Sequence, residues 1–344
     1  MRFKRLRKLQ RGDKVAILSP SFAAPGKWPH VYELGLKQIR KLGLIPVEYP
    51  STGKLGASVD ERINDLVAAF SDSEIKGVVT TLGGDDQATY MKLLPRKPFA
   101  LNPKPFFGFS DNTHFMSFLW LLGVPSYYGA ALFTQFAHKE GPDKFTDRFI
   151  NQALFRKGRV DLMSSSVYSD VDVDWSNPES LKQERCFEPN EGWFWDGDLI
   201  VEGITWGGCL ESINAMLDSG NDMPTLDQFK DAVLLIETSE EVPSARKVAS
   251  ILRKLGRKKI LGAAKGLLVG RPKAWNFSDP KGSSAKAAYR REQREHVLAE
   301  FRRYNPKAPV IQNLDFGHTH PQIPIPYGRK VRIDPAARTI SIEF

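Results

Sequence analysis

The feature that most constrains the fold is a regular alternation of strand-like and helix-like patterns along the first half of the chain. Val15–Leu18 is a short apolar run, Val31–Leu42 carries apolar side chains at helical spacing, and Ile45–Tyr49 is again strand-like. Parallel strands need a long crossover, usually a helix, so this order predicts a parallel sheet with helical connections. We therefore predict an α/β fold.

The alternation continues beyond residue 100. Ser58–Phe70 is predicted to be a helix with Ser58 as its N-cap, and Val78–Leu82 and Phe106–Phe109 are predicted strands. A helix is expected from Thr113 to Leu122. These segments complete an N-terminal domain of the α/β class.

The pattern breaks in a polar, aperiodic stretch, and a chain of 344 residues is long enough for two domains. We predict a parallel-sheet α/β domain at 1–156, a connecting or substrate loop at 157–198, and a smaller mixed α/β domain at 199–344. The elements predicted in the second domain are the strands Val233–Ile236 and Gly266–Val269 and helices over Ser244–Leu255 and Lys286–Arg303.

Composition excludes several classes of protein. The two cysteines, Cys186 and Cys209, are too few for a disulfide framework or a four-cysteine zinc site. The basic N-terminal decapeptide is not followed by the apolar run of a signal peptide, and no stretch approaches the roughly 20 apolar residues of a membrane span. We expect a soluble cytoplasmic protein with no membrane association.

The net charge is +9. A charge of this sign is compatible with nucleic-acid binding, but the most basic segment, Lys281–Arg303, also contains glutamates, and no module of stacking aromatics interleaves it. We interpret it as a solvated mixed-charge helix and expect no nucleic-acid partner. The balance of charge favours a small anionic substrate.

The segment Phe106–Thr113 places Gly108-Phe-Ser110 between a buried strand and a helix. This is the context of a nucleophile elbow, in which a sharp turn exposes the serine Oγ. The amide of Asp111 at the helix start is then suited to donate to an oxyanion. Asn112 stands where the hydrolase motif has a second glycine. The alternative is that Ser110 only caps the helix.

A second motif is Gly83-Gly84, directly after a strand and before Asp85 and Asp86. Paired glycines let a backbone approach a ligand closely, so they can supply a second oxyanion donor or hold a phosphate. An ordinary tight turn is the simpler interpretation. A phosphotransferase loop is a further one, although the usual Gly-Thr and a P-loop lysine are missing.

Two motifs in the second half supply an acid and a base. Glu237 ends an apolar strand, where α/β proteins build their sites, whereas Glu240 and Glu241 are interpreted as solvent-facing. His318 follows a glycine and is the predicted general base. With His320 it also suggests a metal site, but no carboxylate or cysteine lies at ligand spacing, so we expect no metal.

The order of these motifs along the chain is also informative. Gly83-Gly84, Gly108–Asp111, Ile236–Glu240, Phe316–Pro321 and the ending Pro326–Asp334 resemble the LD-carboxypeptidase family of serine peptidases (S66), and the microcin C immunity-type branch most closely. The resemblance implies an N-terminal domain that carries the nucleophile and a C-terminal domain that carries glutamate and histidine, with the active site between them. It also implies a homodimer, no metal and no cofactor.

Position by position, the resemblance implies that Ser110 is the nucleophile, His318 the general base and Glu237 its orienting acid. It implies that the amides of Gly84 and Asp111 form the oxyanion hole.

The resemblance also places substrate contacts. Gly83 and Asp85 are expected to contact the substrate, and the aromatic that stacks on it is expected within 168–195, with Trp175 and Trp193 chosen among the candidates Tyr168, Trp175, Trp193 and Trp195. The alternative for each aromatic is that it packs the domain junction. Cys209 replaces an asparagine that is usual in the family.

The predicted function is hydrolysis of a small peptide-like substrate by a serine carboxypeptidase or amidase. The substrate is an aminoacyl- or peptidyl-nucleotide of the microcin C type or the L,D-bond of a muropeptide, and the motifs do not decide between them. The alternatives are a phosphotransferase that uses the Gly83–Asp86 loop and a catalytically silent member that only binds peptides.

Overall fold

The structure is a computed structural model that describes residues 2–344. The chain forms two compact units. The first comprises the chain as far as Lys157 together with Val173–Glu184 and Gln322–Gly328. The second comprises Gly158–Asp172, Arg185–Pro321 and Arg329–Phe344.

Strands are numbered in chain order along the described residues. They are β1 (Lys14–Leu18), β2 (Ile45–Glu48), β3 (Ile75–Thr80), β4 (Phe106–Gly108), β5 (Ser126–Tyr128), β6 (Arg159–Asp161), β7 (Val167–Tyr168), β8 (Glu188–Pro189), β9 (Phe194–Asp196), β10 (Val201–Cys209), β11 (Ala232–Glu237), β12 (Gly266–Gly270), β13 (Val310–Leu314), β14 (Ile325–Tyr327), β15 (Lys330–Asp334) and β16 (Thr339–Glu343).

The α-helices are numbered in the same way. They are α1 (Ala24–Lys27), α2 (Pro29–Lys41), α3 (Val59–Ser71), α4 (Arg96–Leu101), α5 (Thr113–Leu121), α6 (Lys144–Phe155), α7 (Leu210–Ser219), α8 (Leu226–Phe229), α9 (Ala245–Arg257), α10 (Ile260–Ala263) and α11 (Ser283–Tyr304). Within residues 2–344 no helix combines the length and the apolar character that crossing a membrane requires.

The first unit is built on a sheet with the strand order β14-β5-β4-β3-β1-β2. The strands β1 to β5 pair in parallel, and β14 joins β5 antiparallel at the edge. The predicted α/β class is therefore confirmed. A cluster of phenylalanine rings in edge-to-face contact joins β4 to α3, α4 and α5; its members are Phe70, Phe99, Phe106, Phe115 and Phe118.

One predicted strand is displaced. The strand expected at Val78–Leu82 spans Ile75–Thr80, because its neighbour β1 begins at Lys14 and pairs this residue with Ile75. Beyond Thr80 the chain leaves the sheet and turns into the Gly83-Gly84 segment.

The second unit contains a sheet with the order β6-β16-β15-β10-β11-β12-β13-β9. Its central strands β10 to β13 are parallel, and the strands on either side are antiparallel. The polar stretch at 157–198 thus contributes β6 and β9 to the two edges of this sheet. In both units the parallel strands end at the residues predicted to be catalytic, since Ser110 follows β4 and Glu237 closes β11.

The N-cap role of Ser58 can be tested at the capping box of α3. The Ser58 side chain accepts from the Glu61 amide, and the Glu61 side chain accepts from the Ser58 amide. We expect Ser58→Ala to lower the free energy of unfolding by about 1 kcal/mol in urea denaturation, because one helix-terminal donor loses its partner. The control is Ser250→Ala on the exposed face of α9. This substitution should leave the free energy of unfolding unchanged or raise it slightly. Equal losses in both variants would contradict the role of the cap.

Candidate active site

Ser110 lies in a strained turn directly after β4. Its backbone φ is +63°, in the left-handed region that residues other than glycine rarely adopt. A short 3₁₀ turn over Ser110–Asn112 leads into α5, whose N-cap is Asn112 rather than Ser110. Strain of this kind persists only where the surroundings hold it, and a strand, a sharp turn and a helix in this order form a nucleophile elbow.

Hydrogen bonds on both sides of the elbow hold this turn. The Ser110 amide donates to the Tyr128 hydroxyl at 3.1 Å, and the Thr113 hydroxyl donates to the Ser110 carbonyl at 2.6 Å. Asn112 is fully buried, and its amide nitrogen donates to the Leu82 carbonyl at 3.2 Å. The asparagine at the expected glycine position therefore ties the elbow to the loop that carries Gly83 and Gly84.

The paired glycines lie against Ser110 and cannot carry side chains. A β-carbon on Gly83 would lie 2.8 Å from Cβ and 3.0 Å from Oγ of Ser110. Gly84 has a φ of +149°, and a β-carbon there would lie 2.2 Å from the Ser21 hydroxyl. The pair is therefore more than an ordinary tight turn, because it brings backbone next to the predicted nucleophile.

The carboxylate of Asp111 orders the same region. It accepts from the Ser21 hydroxyl at 2.6 Å and from the Gln87 amide at 3.0 Å. His114 lies 3.6 Å from it, and burial lowers the pKa of His114 more than Asp111 raises it. Sequence reasoning missed these supports, because Ser21 and Gln87 belong to no recognisable motif. Asp85 is exposed beside the glycine pair.

In the second unit the structure brings Glu237 and His318 together. Nδ1 of His318 lies 2.7 Å from Oε2 of Glu237, and the Glu237 side chain is 0% exposed. Two glycines permit this approach: a β-carbon on Gly317 would lie 2.5 Å from Glu237 Oε2, and one on Gly270 would lie 2.9 Å from Glu237 Cβ. A buried carboxylate against Nδ1 fixes the ring orientation of a histidine.

Glu240 contacts the other nitrogen of the ring. Its Oε2 lies 3.0 Å from His318 Nε2, although the Glu240 side chain is 61% exposed. The sequence predicted that the Glu240 side chain faces solvent, and it did not predict the contact with His318. Burial lowers the pKa of His318, but Glu237 and Glu240 together raise it to about 10. Partial desolvation raises the pKa of Glu240, and the contact with His318 lowers it to about 2.

The turn that carries His318 is anchored by a buried ion pair. Arg271 donates to Asp315 at 2.6 Å and to the Thr319 hydroxyl at 3.3 Å. Trp193, one of the predicted substrate contacts, donates its Nε1–H to the same Asp315 at 3.3 Å. The indole of Trp193 is thus part of the support of this turn.

Trp175 has a different environment in the first unit. Its ring packs edge-on against Trp28 and Phe133, with centroid distances of 5.2 and 5.5 Å, and Trp28 contacts Phe22 at 5.9 Å. We call Phe22, Trp28, Phe133 and Trp175 the Trp175 aromatic group. The Phe22 amide donates to the Gly83 carbonyl, so this group adjoins the glycine pair. Trp28 and Trp175 are only half-buried.

Cys209 ends β10 directly opposite Glu237 in the strand register. Burial raises the pKa of its thiol well above the usual value, and the charges of Glu237 and Glu211 raise it further. Its Sγ donates to Glu211 at 3.2 Å. The thiol therefore stays protonated and acts as a hydrogen-bond donor.

Across residues 2–344, no group of three or more His, Cys, Asp or Glu side chains is arranged to hold a metal ion. The predicted residues form two sets. Ser110, Gly83, Gly84 and Asp111 come together in the first unit, and Glu237 and His318 come together in the second. A serine on a nucleophile elbow and a histidine paired with a carboxylate are groups that serine hydrolases use.

Comparison with known proteins identifies the family. The family model for the LD-carboxypeptidase N-terminal domain matches residues 15–129, and the model for the LD-carboxypeptidase C-terminal domain matches residues 202–333. The chain belongs to the LD-carboxypeptidase family and is a serine peptidase. The phosphotransferase interpretation of the glycine pair therefore has no support.

Individual relatives cover nearly the whole chain. A Treponema pallidum (strain Nichols) protein named as a carboxypeptidase is 27% identical over 98% of this chain and 94% of its own length. The microcin C7 self-immunity protein MccF of Escherichia coli is 25% identical over 96% of this chain and 93% of its own. The structure of an MccF-like protein from Streptococcus pneumoniae in complex with AMP superimposes with a TM-score of 0.84, at 25% identity, over 96% of this chain and 98% of that one.

The close approach of Gly317 to Glu237 gives a prediction for stability. Gly317 has a φ of +94°, so Gly317→Ala adds backbone strain to the collision with Glu237. We expect the free energy of unfolding to fall by roughly 2 kcal/mol or more in urea denaturation, since a β-carbon in the left-handed region alone costs about 1–2 kcal/mol. The control is Gly53→Ala, where a β-carbon meets nothing closer than 3.9 Å. A Gly317→Ala protein as stable as this control would contradict the packing described.

Proposed function

We propose that the protein hydrolyses the amide-type bond of a small aminoacyl-nucleotide, with Ser110 as nucleophile, His318 as general base and Glu237 as the acid that orients it. The observation that carries the proposal is the Gly83-Gly84 pair against Ser110, because it leaves backbone and no side chain beside the reacting oxygen. The buried contact of Glu237 with Nδ1 supports the assignment of Nε2 as the basic nitrogen.

In the first step the Ser110 Oγ attacks the substrate carbonyl while its proton passes to His318 Nε2. The carbonyl oxygen becomes an oxyanion that accepts from the amides of Gly84 and Asp111, each donor contributing roughly 3–4 kcal/mol to the stability of the transition state. Glu237 stabilises the imidazolium that forms. In the second step the carbon–nitrogen bond breaks, and His318 returns the proton to the leaving nitrogen.

An acyl ester on Ser110 remains. Water attacks this ester, again with His318 as base, and the free amino acid or peptide leaves as its carboxylate. The products are that acid and a nucleotide or nucleoside whose nitrogen has regained its proton.

The substrate class follows from the Trp175 aromatic group. Trp28 and Trp175 are half-buried and linked through Phe22 to the glycine pair, and aromatic rings of this kind suit stacking on a nucleobase. Related MccF structures contain glutamyl sulfamoyl guanosine and aspartyl sulfamoyl adenosine. The net charge of +9 also favours an anionic ligand. Trp193 is the weaker candidate because its polar edge is engaged by Asp315.

The proposal is tested by mass spectrometry of reactions with two probes, aspartyl sulfamoyl adenosine and a muropeptide tetrapeptide with a terminal D-alanine. We expect the wild-type protein to release aspartate from the first. Ser110→Ala should stay folded and lose essentially all release, because no other group forms the acyl ester. Ser250→Ala is the matched control and should keep full activity. Release by Ser110→Ala would remove Ser110 from the mechanism.

The outcomes also separate the other interpretations. Cleavage of the muropeptide alone would overturn the substrate assignment and keep the mechanism, and no cleavage of either probe would favour a member that only binds. The homodimer and the cytoplasmic location stay predictions.

A second prediction concerns Trp175. We expect Trp175→Ala to raise KM for aspartyl sulfamoyl adenosine about tenfold or more with a smaller effect on kcat, since stacking of a base on an aromatic ring contributes about 1–3 kcal/mol. Trp275→Ala, which removes a half-buried indole that pairs with Phe277 in the second unit, is the control. An unchanged KM in Trp175→Ala would exclude Trp175 from base recognition.

A further inference from the structure

Both nitrogens of the His318 ring face a carboxylate. Nδ1 lies 2.7 Å from Glu237, and Nε2 lies 3.0 Å from Glu240. A histidine that acts as a base through Nε2 must have an unprotonated nitrogen there, whereas a carboxylate at ion-pair distance favours a bound proton. The contact with Glu240 therefore stabilises the form of His318 that cannot accept a proton.

The two carboxylates are held very differently. Glu237 is the last residue of β11, its side chain is 0% exposed, and Gly270 and Gly317 pack against it. Glu240 lies in the turn after that strand with 61% of its side chain exposed. Moving Glu240 away from Nε2 returns its carboxylate to water, whereas moving Glu237 would leave a buried charge without its partner. Glu240 is the exchangeable counter-ion of the pair.

Other charged groups lie near the turn that carries Glu240. Lys273, on the segment after β12, is buried, and its charge contributes to lowering the pKa of Glu240. The charges of Glu237 and Glu240 raise the pKa of His318. The neighbouring polar contacts are Lys273 with Asp172, Glu241 with Lys247, and the amide and hydroxyl of Ser239 with Glu211.

We propose that Glu240 is a positioning residue of the active site, which holds His318 protonated in the resting enzyme and leaves Nε2 before Ser110 transfers its proton. When Glu240 leaves, the proton on Nε2 is released to solvent, and the neutral ring is then the base. This inference rests on the proposed function, since it takes His318 as the base for Ser110. It follows that Glu240 determines the pH at which activity falls on the acidic side of the pH profile.

The ion pair with Glu240 determines the direction in which the acidic limb of kcat/KM moves when this charge is removed. The pKa of His318 is raised to about 10 with both carboxylates present, so the neutral ring becomes abundant only as the pH rises. Glu240→Gln keeps the shape of the side chain and removes one negative charge, which lowers the pKa of His318. We expect the acidic limb of kcat/KM for aspartyl sulfamoyl adenosine to move down by about one pH unit or more, which makes kcat/KM at about pH 6 roughly tenfold higher.

Two variants make the comparison specific. Glu240→Asp retains the charge and should keep the limb nearer its wild-type position. Glu241→Gln removes a similarly exposed charge that pairs with Lys247 at 3.6 Å and should leave the limb unchanged. A merely structural role of Glu240 would change the level of the profile without moving its limb.

A second measurement does not depend on turnover. The imidazole titration of His318 is followed by NMR in ¹⁵N-histidine-labelled Ser110→Ala, with its signal assigned by its loss in His318→Gln. We expect the titration midpoint to fall by about one pH unit or more when Glu240→Gln is added. If neither this midpoint nor the pH profile moves while hydrolysis still requires Ser110, the role of Glu240 is overturned and the proposed function stands. If the midpoint moves but the wild-type protein hydrolyses neither probe, the ion pair stands and the proposed function falls.

Discussion

The contact between Glu237 and His318 is the interaction on which the second unit depends. A carboxylate with 0% exposure is unfavourable unless a donor faces it, and Nδ1 at 2.7 Å supplies that donor. The approach is possible only because Gly270 and Gly317 leave no side chain in the way. Arg271 and Asp315, also fully buried, fix the turn that carries the histidine. A change in any of these residues therefore acts on the orientation of the imidazole.

In the first unit, glycines and hydrogen bonds likewise hold the turn at Ser110. Its left-handed backbone is unfavourable by itself. The Ser110 amide donates to Tyr128, Thr113 donates to the Ser110 carbonyl and Asn112 donates to the Phe109 carbonyl, and these bonds hold the turn in place. Gly83 has no side chain because Ser110 occupies the space that a β-carbon would need. The strain at Ser110 and the missing side chains beside it thus belong to one arrangement, in which the half-buried serine lies against backbone.

Much of the local structure was predictable because it depends on neighbours along the chain. The N-cap role of Ser58, the helices α2 and α9 and the strands β1, β4, β11 and β12 follow from periodicity and capping residues within a few positions. The displaced β3 shows the limit of this reasoning. Its start is set by pairing with Lys14, some sixty residues earlier, and no pattern inside Val78–Leu82 records that partner.

The sequence by itself determined the class of fold and the candidates for nucleophile, base and acid, because strand–turn–helix order, paired glycines and a strand-ending glutamate are local patterns. Only the tertiary structure decided which acid meets which ring nitrogen. Glu237 and Glu240 are three residues apart in sequence, yet Glu237 is buried against Nδ1 and the mostly exposed Glu240 contacts Nε2. It also decided that Trp193 supports Asp315 while Trp175 packs beside Trp28. The physical reason is that burial and charge pairing arise between elements far apart in the chain, and a one-dimensional pattern does not encode those distances.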